Sequence, residues 1–380
     1  MHTTFKKKLA SIDWVLLLLS SIIVGASLVT LYTFDGSQNF FNRQILFFAI
    51  ALIFFFIGSL IDLSVFRTTQ IAFLGYLFFI GVLFALFIFG HTAKGAQSWF
   101  SIGQFAFQPT DFMKVATILV SAKFFSRRHV EIKHFKHVAI SIVYMLVPFM
   151  LIFLQPDFGS AIALFLIWFG MILFSGLSKK HMIMFSIIGL SLFIFLWGFV
   201  FKEYQKNRIR NFINPTLDIK GTGYNAKQSI IAVGSGQIIG KGIGYGTQSR
   251  LNFLPEHETD FIFAAYAEEW GFIGSVLLII LYTLLLLRMS TIALYAQNNF
   301  EILILVGVVI FFLSHILINI GMNIGVMPIT GITLPLMSYG GSHLLAEFFA
   351  LGLVSSVYSR RRATHRENLN YEFLGVEKTI

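Results

Sequence analysis

Ten stretches of mostly apolar residues, each about 20 residues long, recur through this 380-residue chain, and nothing constrains its fold more. A run of that length can cross a hydrocarbon core of about 30 Å, where the backbone must satisfy its own hydrogen bonds. The pattern predicts spans near residues 12–32, 45–62, 71–90, 109–125, 138–155, 158–177, 182–201, 260–287, 300–322 and 343–358. The chain is therefore expected to be all-α and polytopic, a single membrane domain over 1–380. Composition agrees: 56% of residues are apolar and only 12% charged, which excludes a soluble fold. The first run follows Lys6, Lys7 and Lys8 as in a signal peptide. It is too long for an h-region and lacks a small-x-small exit, so it reads as a retained anchor.

Charge sets the orientation. With the N-terminus in the cytoplasm, Lys6–Lys8, Arg67, the segment from Lys123 to Lys136, Lys179 with Lys180, Arg288 and Arg360–Arg362 all fall inside, and an even span count returns the C-terminus there. A net charge of +10 would point a soluble chain toward nucleic acid, but here it follows from cytoplasmic loops, and no nucleic-acid partner is expected. The absence of cysteine excludes disulfides, thiolate metal sites and cysteine nucleophiles. No inverted repeat of the transporter kind is visible. One long outer loop, 202–259, breaks the rule by carrying Lys202, Lys206, Arg208, Arg210, Lys220, Lys227, Lys241 and Arg250. It is either a solvated basic face or an electropositive surface for an anionic substrate or lipid headgroups. Within it, 221–246 holds eight glycines and the apolar stripe QSIIAVGSGQIIG, which suggests a close-packed, partly membrane-embedded segment.

The chemistry concentrates after that loop, in LPEHETDFIFAAYAEEWG, Leu254 to Gly271. Asp260 with Thr259 opens the eighth span, where a carboxylate suits the helix N-terminus as a cap. Against that plain role, Glu256, His257 and Glu258 crowd the same turn, and clustered carboxylates suit a general base or a divalent-cation site. His257 with two glutamates is too little for zinc. Glu268 and Glu269 lie two turns deeper and need partners, for which Lys114 and Arg43 are the candidates; Arg43 could equally snorkel at the interface. In QPTDFMK, Asp111 sits in the first turn of span four and Lys114 either pairs with it at i,i+3 or faces a phosphate as a fixed cation. In QPDFGSA, Asp157 is either the cap of span six or a second acid facing the cavity of Asp260. GITLPLMSYGG, 331–341, with Ser338, reads as a re-entrant segment, and Asn319 and Asn323 precede it. GSGQIIGKG is not a P-loop, since Ser235 stands at the first glycine position and Gly242 follows Lys241.

These stretches resemble the SEDS family (shape, elongation, division, sporulation), its RodA members more than its FtsW members. The matches run in order: Arg43-Gln44, Gln108-Pro109 with Lys114, Gln155 to Ala161, Gln228-Ser229 followed by Gly234-Ser235-Gly236, Leu254-Pro255-Glu256, Thr259-Asp260-Phe261, and Pro335 with Ser338-Tyr339-Gly340-Gly341. The resemblance implies ten spans and a peptidoglycan glycosyltransferase polymerising lipid II at the outer face of the bacterial cytoplasmic membrane, for elongation and shape. It implies Asp260 as the catalytic acid, a class B penicillin-binding transpeptidase as partner, and further membrane proteins of an elongation complex. Three positions depart from the family: Asp111 stands where Glu is frequent, Glu258 precedes Thr259, and His343 replaces a usual Ser.

Under that reading Asp260 would deprotonate the acceptor hydroxyl, and one inverting displacement would convert an α-linked donor into a β-linked product. Lys114, Arg43, Asp157, Glu256 and Ser338 would contact the diphosphate-bearing substrate, with Asp111, Glu258, Glu268 and Glu269 in support. No cofactor is required, although a divalent cation (Mg or Mn) near Asp260 and Asp157 would also stabilise the leaving diphosphate. A flippase for a lipid-linked precursor would use the same spans and acids, and a scaffold for a transpeptidase would need no Asp260 at all.

Overall fold

The structure, a computed structural model, describes residues 12–34, 38–93, 96–102, 105–127, 135–176, 203–214, 218, 221–294 and 296–374, with isolated residues between 182 and 199. The expected seventh span, 182–201, lies largely outside them, as do Lys6–Lys8, Lys179, Lys180, Lys202, Lys220 and much of the basic segment after Lys123. The other nine expected spans are helices. They are α1 (Trp14–Tyr32), α2 (Gln38–Leu60), α4 (Ile71–Phe89), α5 (Pro109–Arg127), α6 (Phe135–Leu154), α7 (Phe158–Phe174), α11 (Ile262–Ala293), α12 (Asn299–Asn323) and α13 (Gly341–Leu374). A short α3 (Leu63–Thr68) precedes α4, and the outer segment folds into α8 (Glu203–Ile213), α9 (Thr222–Ser235) and α10 (Thr247–Arg250).

Two features depart from the expectation. Between α4 and α5 the chain makes a small antiparallel sheet, β1 (His91–Ala93), β2 (Ala96–Ile102) and β3 (Phe105–Phe107), in the order β1-β2-β3. Phe100 pairs with Phe107 and Ile102 with Phe105 across its second ladder. The last helix also runs on well past its expected end at 358, to Leu374.

The bundle is built around α5. Four ionisable residues (Asp111, Lys114, Lys123 and Arg127) make it less apolar than most of the long helices, yet α4, α6, α7, α12 and α13 surround it and bury most of its side chains. Such a helix is affordable in a membrane only where protein covers it. By contrast α4 and α6 leave Leu74, Phe78, Ile88, Val143 and Leu154 exposed, the surface expected of helices that face lipid. The most extensive packing joins α2 to α13, and the crossing is made of glycine. A Cβ at Gly58 would lie 2.8 Å from the Phe349 carbonyl oxygen, and one at Gly352 would strike the Phe55 carbonyl oxygen and lie 3.0 Å from the Gly58 Cα.

The starts of α2, α5, α7, α11 and α13 meet the end of α12 at one face of the bundle. The opposite face is tied by charges. Asp13 caps α1, accepting from Val15 N and Leu16 N at 3.1 Å, and also pairs with Arg288 Nε at 2.9 Å. Arg288 lies 5.1 Å from the Tyr358 ring centroid, and Arg360 pairs with Glu301 at 3.1 Å and with Asp62. These contacts fasten α1, α3, α11, α12 and α13 together at that end.

The glycine crossing gives a direct test. Gly352→Leu is expected to destabilise the bundle by about 1–3 kcal/mol through overpacking, read as a lowered Tm of the detergent-purified protein. An unchanged Tm would mean that the two backbones do not touch there.

Candidate functional site

The segment from Leu254 to Phe261 folds as a run of tight turns in which nearly every polar group is engaged. Glu256 adopts a left-handed backbone (φ 56°), uncommon for a residue with a side chain. Its carbonyl accepts from Thr259 N and Phe261 N, both at 3.1 Å, and its Oε2 accepts from the Thr259 hydroxyl at 3.0 Å. His257 Nδ1 lies 2.9 Å from the Leu254 carbonyl and 3.7 Å from Glu258 Oε2, with its ring edge-on to Phe34. The SYGG loop docks on this run. The Ser338 hydroxyl donates to the Thr259 carbonyl at 2.6 Å and accepts from Leu334 N at 2.8 Å, while Tyr339 N donates to the Glu258 carbonyl at 2.8 Å. Gln44 on α2 then holds that loop, its Nε2 donating to the Ser338 carbonyl and its Oε1 accepting from Gly340 N. Ser338 was expected at the substrate, but it is fully buried and its hydroxyl is spent on the two turns. It joins loops instead.

Asp260 is half-buried, with its carboxylate facing Gly331: a Cβ built there would lie 3.5 Å from Oδ2. The expected cap at Thr259–Asp260 gives way to a different arrangement. Helix α11 begins at Ile262, after a cap residue, Phe261, that has no side-chain acceptor to offer. The acceptor comes instead from α12, where Asn323 Oδ1 takes the Ala264 N–H at 3.2 Å. The wall beside Asp260 is held from α8, Arg208 Nη1 donating to the Thr330 carbonyl at 2.9 Å. Arg208 also lines a small open pocket of about 30 Å³ with Asn211, Phe212, Ile230 and Met327.

About three turns below Asp260, α11 breaks. Gly271 takes φ 67° and ψ −164°, which interrupts the helical ladder, and the loop after α9 repairs it. Lys241 N and Gly242 N donate to the carbonyls of Glu268 and Glu269 at 3.0 and 3.1 Å, while Phe272 N and Ile273 N donate to the carbonyls of Gln237 and Ile238 at 2.8 and 3.1 Å. The same loop receives the two acids. Glu268 is fully buried and accepts from Lys241 Nζ at 2.6 Å, Thr247 N at 2.9 Å, the Thr247 hydroxyl at 3.0 Å and Gln248 N at 3.1 Å. Glu269 accepts from the Thr33 hydroxyl at 2.7 Å and Gly244 N at 3.1 Å. Lys114 and Arg43, the expected partners, are not among these donors; a loop that folds back onto the helix supplies all but Thr33, which lies at the end of α1.

Lys114 is occupied elsewhere, 3.0 Å from Asp111 Oδ1 as the i,i+3 reading proposed, and 3.1 Å from His315 Nε2 on α12. All three are buried, and the Ser342 hydroxyl reaches Asp111 Oδ2 at 3.5 Å. Asp157 caps α7, accepting from Ser160 N at 3.1 Å, and takes Gln108 Nε2 on its other oxygen at 3.0 Å. Arg43 is half-buried near the start of α2, beside Gln44. For a divalent cation the fit is poor: among the described residues no three His, Asp or Glu side chains converge as a metal site. Sequence reasoning also passed over His315 and gave Asn319 and Asn323 no role, although their spacing of four puts all three on one face of α12. It missed the buried Glu347 too, whose Oε2 accepts from Leu336 N at 2.9 Å.

A family model of cell cycle proteins, FtsW/RodA/SpoVE, matches residues 7–363. The chain belongs to this family. Among FtsW/RodA/SpoVE relatives, the peptidoglycan glycosyltransferase MrdB of Escherichia coli K12 is 36% identical over 94% of this chain and 96% of its own length. Stage V sporulation protein E of Bacillus subtilis 168 is 36% identical over 93% of this chain and 99% of its own. Among solved structures, one chain from a peptidoglycan synthase complex that coordinates polymerization and crosslinking superposes with a TM-score of 0.79, at 29% identity, covering 92% of this chain and 98% of that one. Rod shape determining protein RodA of Thermus thermophilus gives a TM-score of 0.69 at 28% identity, covering 92% and 97%.

The Glu268 clasp is testable by proteolysis. Glu268→Gln keeps the side chain's size but removes the charge that holds Lys241 and the Thr247–Gln248 amides. Trypsin cleavage after Arg250 should become about tenfold faster, equivalent to about 1.4 kcal/mol of easier local opening. An unchanged cleavage rate would show that the backbone bonds alone hold the loop.

Proposed function

We propose that this chain is a peptidoglycan glycosyltransferase that polymerises lipid II at the outer face of the bacterial cytoplasmic membrane, with Asp260 as general base. The observation that carries the reading is the setting of Asp260. It sits at the rim of the bundle where α11, the end of α12 and the 330–340 loop converge, its backbone and neighbours pinned and its carboxylate turned to a glycine wall. Membership of a family whose relatives are named peptidoglycan glycosyltransferases supports the activity. Such a base contributes about 10²–10⁴-fold when it is held within reach of the proton it removes.

In the proposed step, an acceptor sugar hydroxyl gives its proton to Asp260 as its oxygen attacks the anomeric carbon of the donor. The bond from that carbon to the diphosphate breaks on the opposite face, and the lipid diphosphate leaves with the electron pair. One displacement inverts the configuration, so no covalent nucleophile is needed. The growing charge on the diphosphate calls for cations near the mouth of the site. Lys114 is held by Asp111 inside the bundle, and the side chains assigned to the diphosphate are Arg43 at the start of α2 and Arg208 beside the Thr330 wall. A class B penicillin-binding transpeptidase fits as partner, since the related structure is of a complex that couples polymerization to crosslinking. In this reading the face where Asp13, Arg288 and Arg360 are paired is the cytoplasmic one.

Asp260→Asn should lower polymerisation of labelled lipid II by about 10²–10⁴-fold while membrane insertion and size-exclusion behaviour stay unchanged. Near-normal glycan synthesis by that variant would reject Asp260 as the base. Arg43→Ala should raise the donor KM about tenfold, the loss of one charge-assisted contact. An unaltered KM would remove Arg43 from the diphosphate site.

A further inference from the structure

We propose that Asn319 and Asn323 are positioning residues for Asp260: a pair of amides one turn apart on α12 that clamps its peptide plane from below. The inference rests on the reading of Asp260 as base. Asn319 Nδ2 donates to the Asp260 carbonyl at 2.9 Å and Asn323 Nδ2 to the same oxygen at 3.1 Å, so both lone pairs of one carbonyl are held by one rigid helix. With that oxygen held, and with the Thr259 carbonyl held by the Ser338 hydroxyl at 2.6 Å, the peptide planes on both sides of Asp260 are pinned and together set the direction of its Cα–Cβ bond.

The clamp reaches further on both sides. The Asn319 amide spends its second hydrogen on the Ile332 carbonyl at 2.7 Å, and Ile332 adjoins Gly331, the residue that faces Asp260 Oδ2. One side chain therefore fixes the aspartate and the opposite wall of its niche. Asn323 takes the Ala264 N–H on Oδ1, and its Nδ2 also donates to the Asn319 carbonyl at 2.8 Å. The Ser229 hydroxyl on α9 lies 3.3 Å from the same Oδ1. Both asparagines are fully buried. The task needs donors for two carbonyls and an acceptor for a helix N–H, with no charge added next to a working carboxylate. Among side chains, only a carboxamide meets all three conditions.

The consequence is kinetic, because displacement of a reacting group by about 1 Å can cost about 10²-fold in rate without loosening substrate binding. In full-length protein reconstituted in liposomes with labelled lipid II, Asn319→Ala is expected to lower kcat by about 10–100-fold while KM stays within about threefold. Asn323→Asp keeps an acceptor for Ala264 and Ser229 but loses the donor, and should behave likewise. Introduced into Asp260→Asn, Asn319→Ala should leave the residual rate unchanged within about twofold, since the group it positions is gone. The proposal falls if kcat is retained, if only KM changes, if the loss recurs in the Asp260→Asn background, or if both variants fail to accumulate as folded protein. Normal turnover by Asp260→Asn alone would instead overturn the assignment of the base and leave the geometry of the clamp as a structural fact.

Discussion

A backbone N–H or C=O left bare at membrane depth costs several kcal/mol, and much of this molecule is arranged to avoid that cost. The break in α11 at Gly271 shows how. A helix that stops and restarts exposes donors on one side and acceptors on the other, and here the glycine-rich loop supplies both through Gln237, Ile238, Lys241 and Gly242. The loop can follow the helix so closely because Gly240 and Gly271 lie against each other's backbones. Its own side chains Ile238 and Ile239 stay exposed, as suits a segment lying against lipid. Glu268 is the charged counterpart of the same repair, the cost of burying it offset by an ammonium, two amides and a hydroxyl that converge on it.

The rim around Asp260 obeys the same rule with side chains in place of backbone. Three irregular stretches meet there, 254–261, 323–332 and 334–341, none able to satisfy itself. Asn319, Asn323, Ser338 and Gln44 each bond to main-chain atoms of a neighbouring stretch, and Tyr339 N adds a backbone bond to Glu258. Order at the site is thus imposed by regular helices on irregular loops, which is how a reactive group on a turn can be held as firmly as one on a helix.

Much of this was legible from the amino-acid order. Apolar runs located nine helices, because a span is signalled by length and hydropathy alone. Asp260, Asp157, Glu268 and the Asp111–Lys114 pair stood out because acids in apolar surroundings demand an explanation. What escaped notice was pairing across distance. Lys241 meets Glu268 across 27 residues and Asn323 caps Ala264 across 59, and no local spacing announces either. The β1–β3 hairpins were also missed, since alternation in AQSWFSI is too short to separate from an ordinary loop. The row His315, Asn319, Asn323 was different: its period of four was visible, and only the habit of reading an apolar helix for its length hid it.

The repaired break in α11 has a mechanical meaning. Because the loop and the helix start share four main-chain bonds and the Lys241–Glu268 ion pair, they form one stiff piece. Anything that grips residues 236–250 holds a lever whose short arm ends at the turn bearing Asp260.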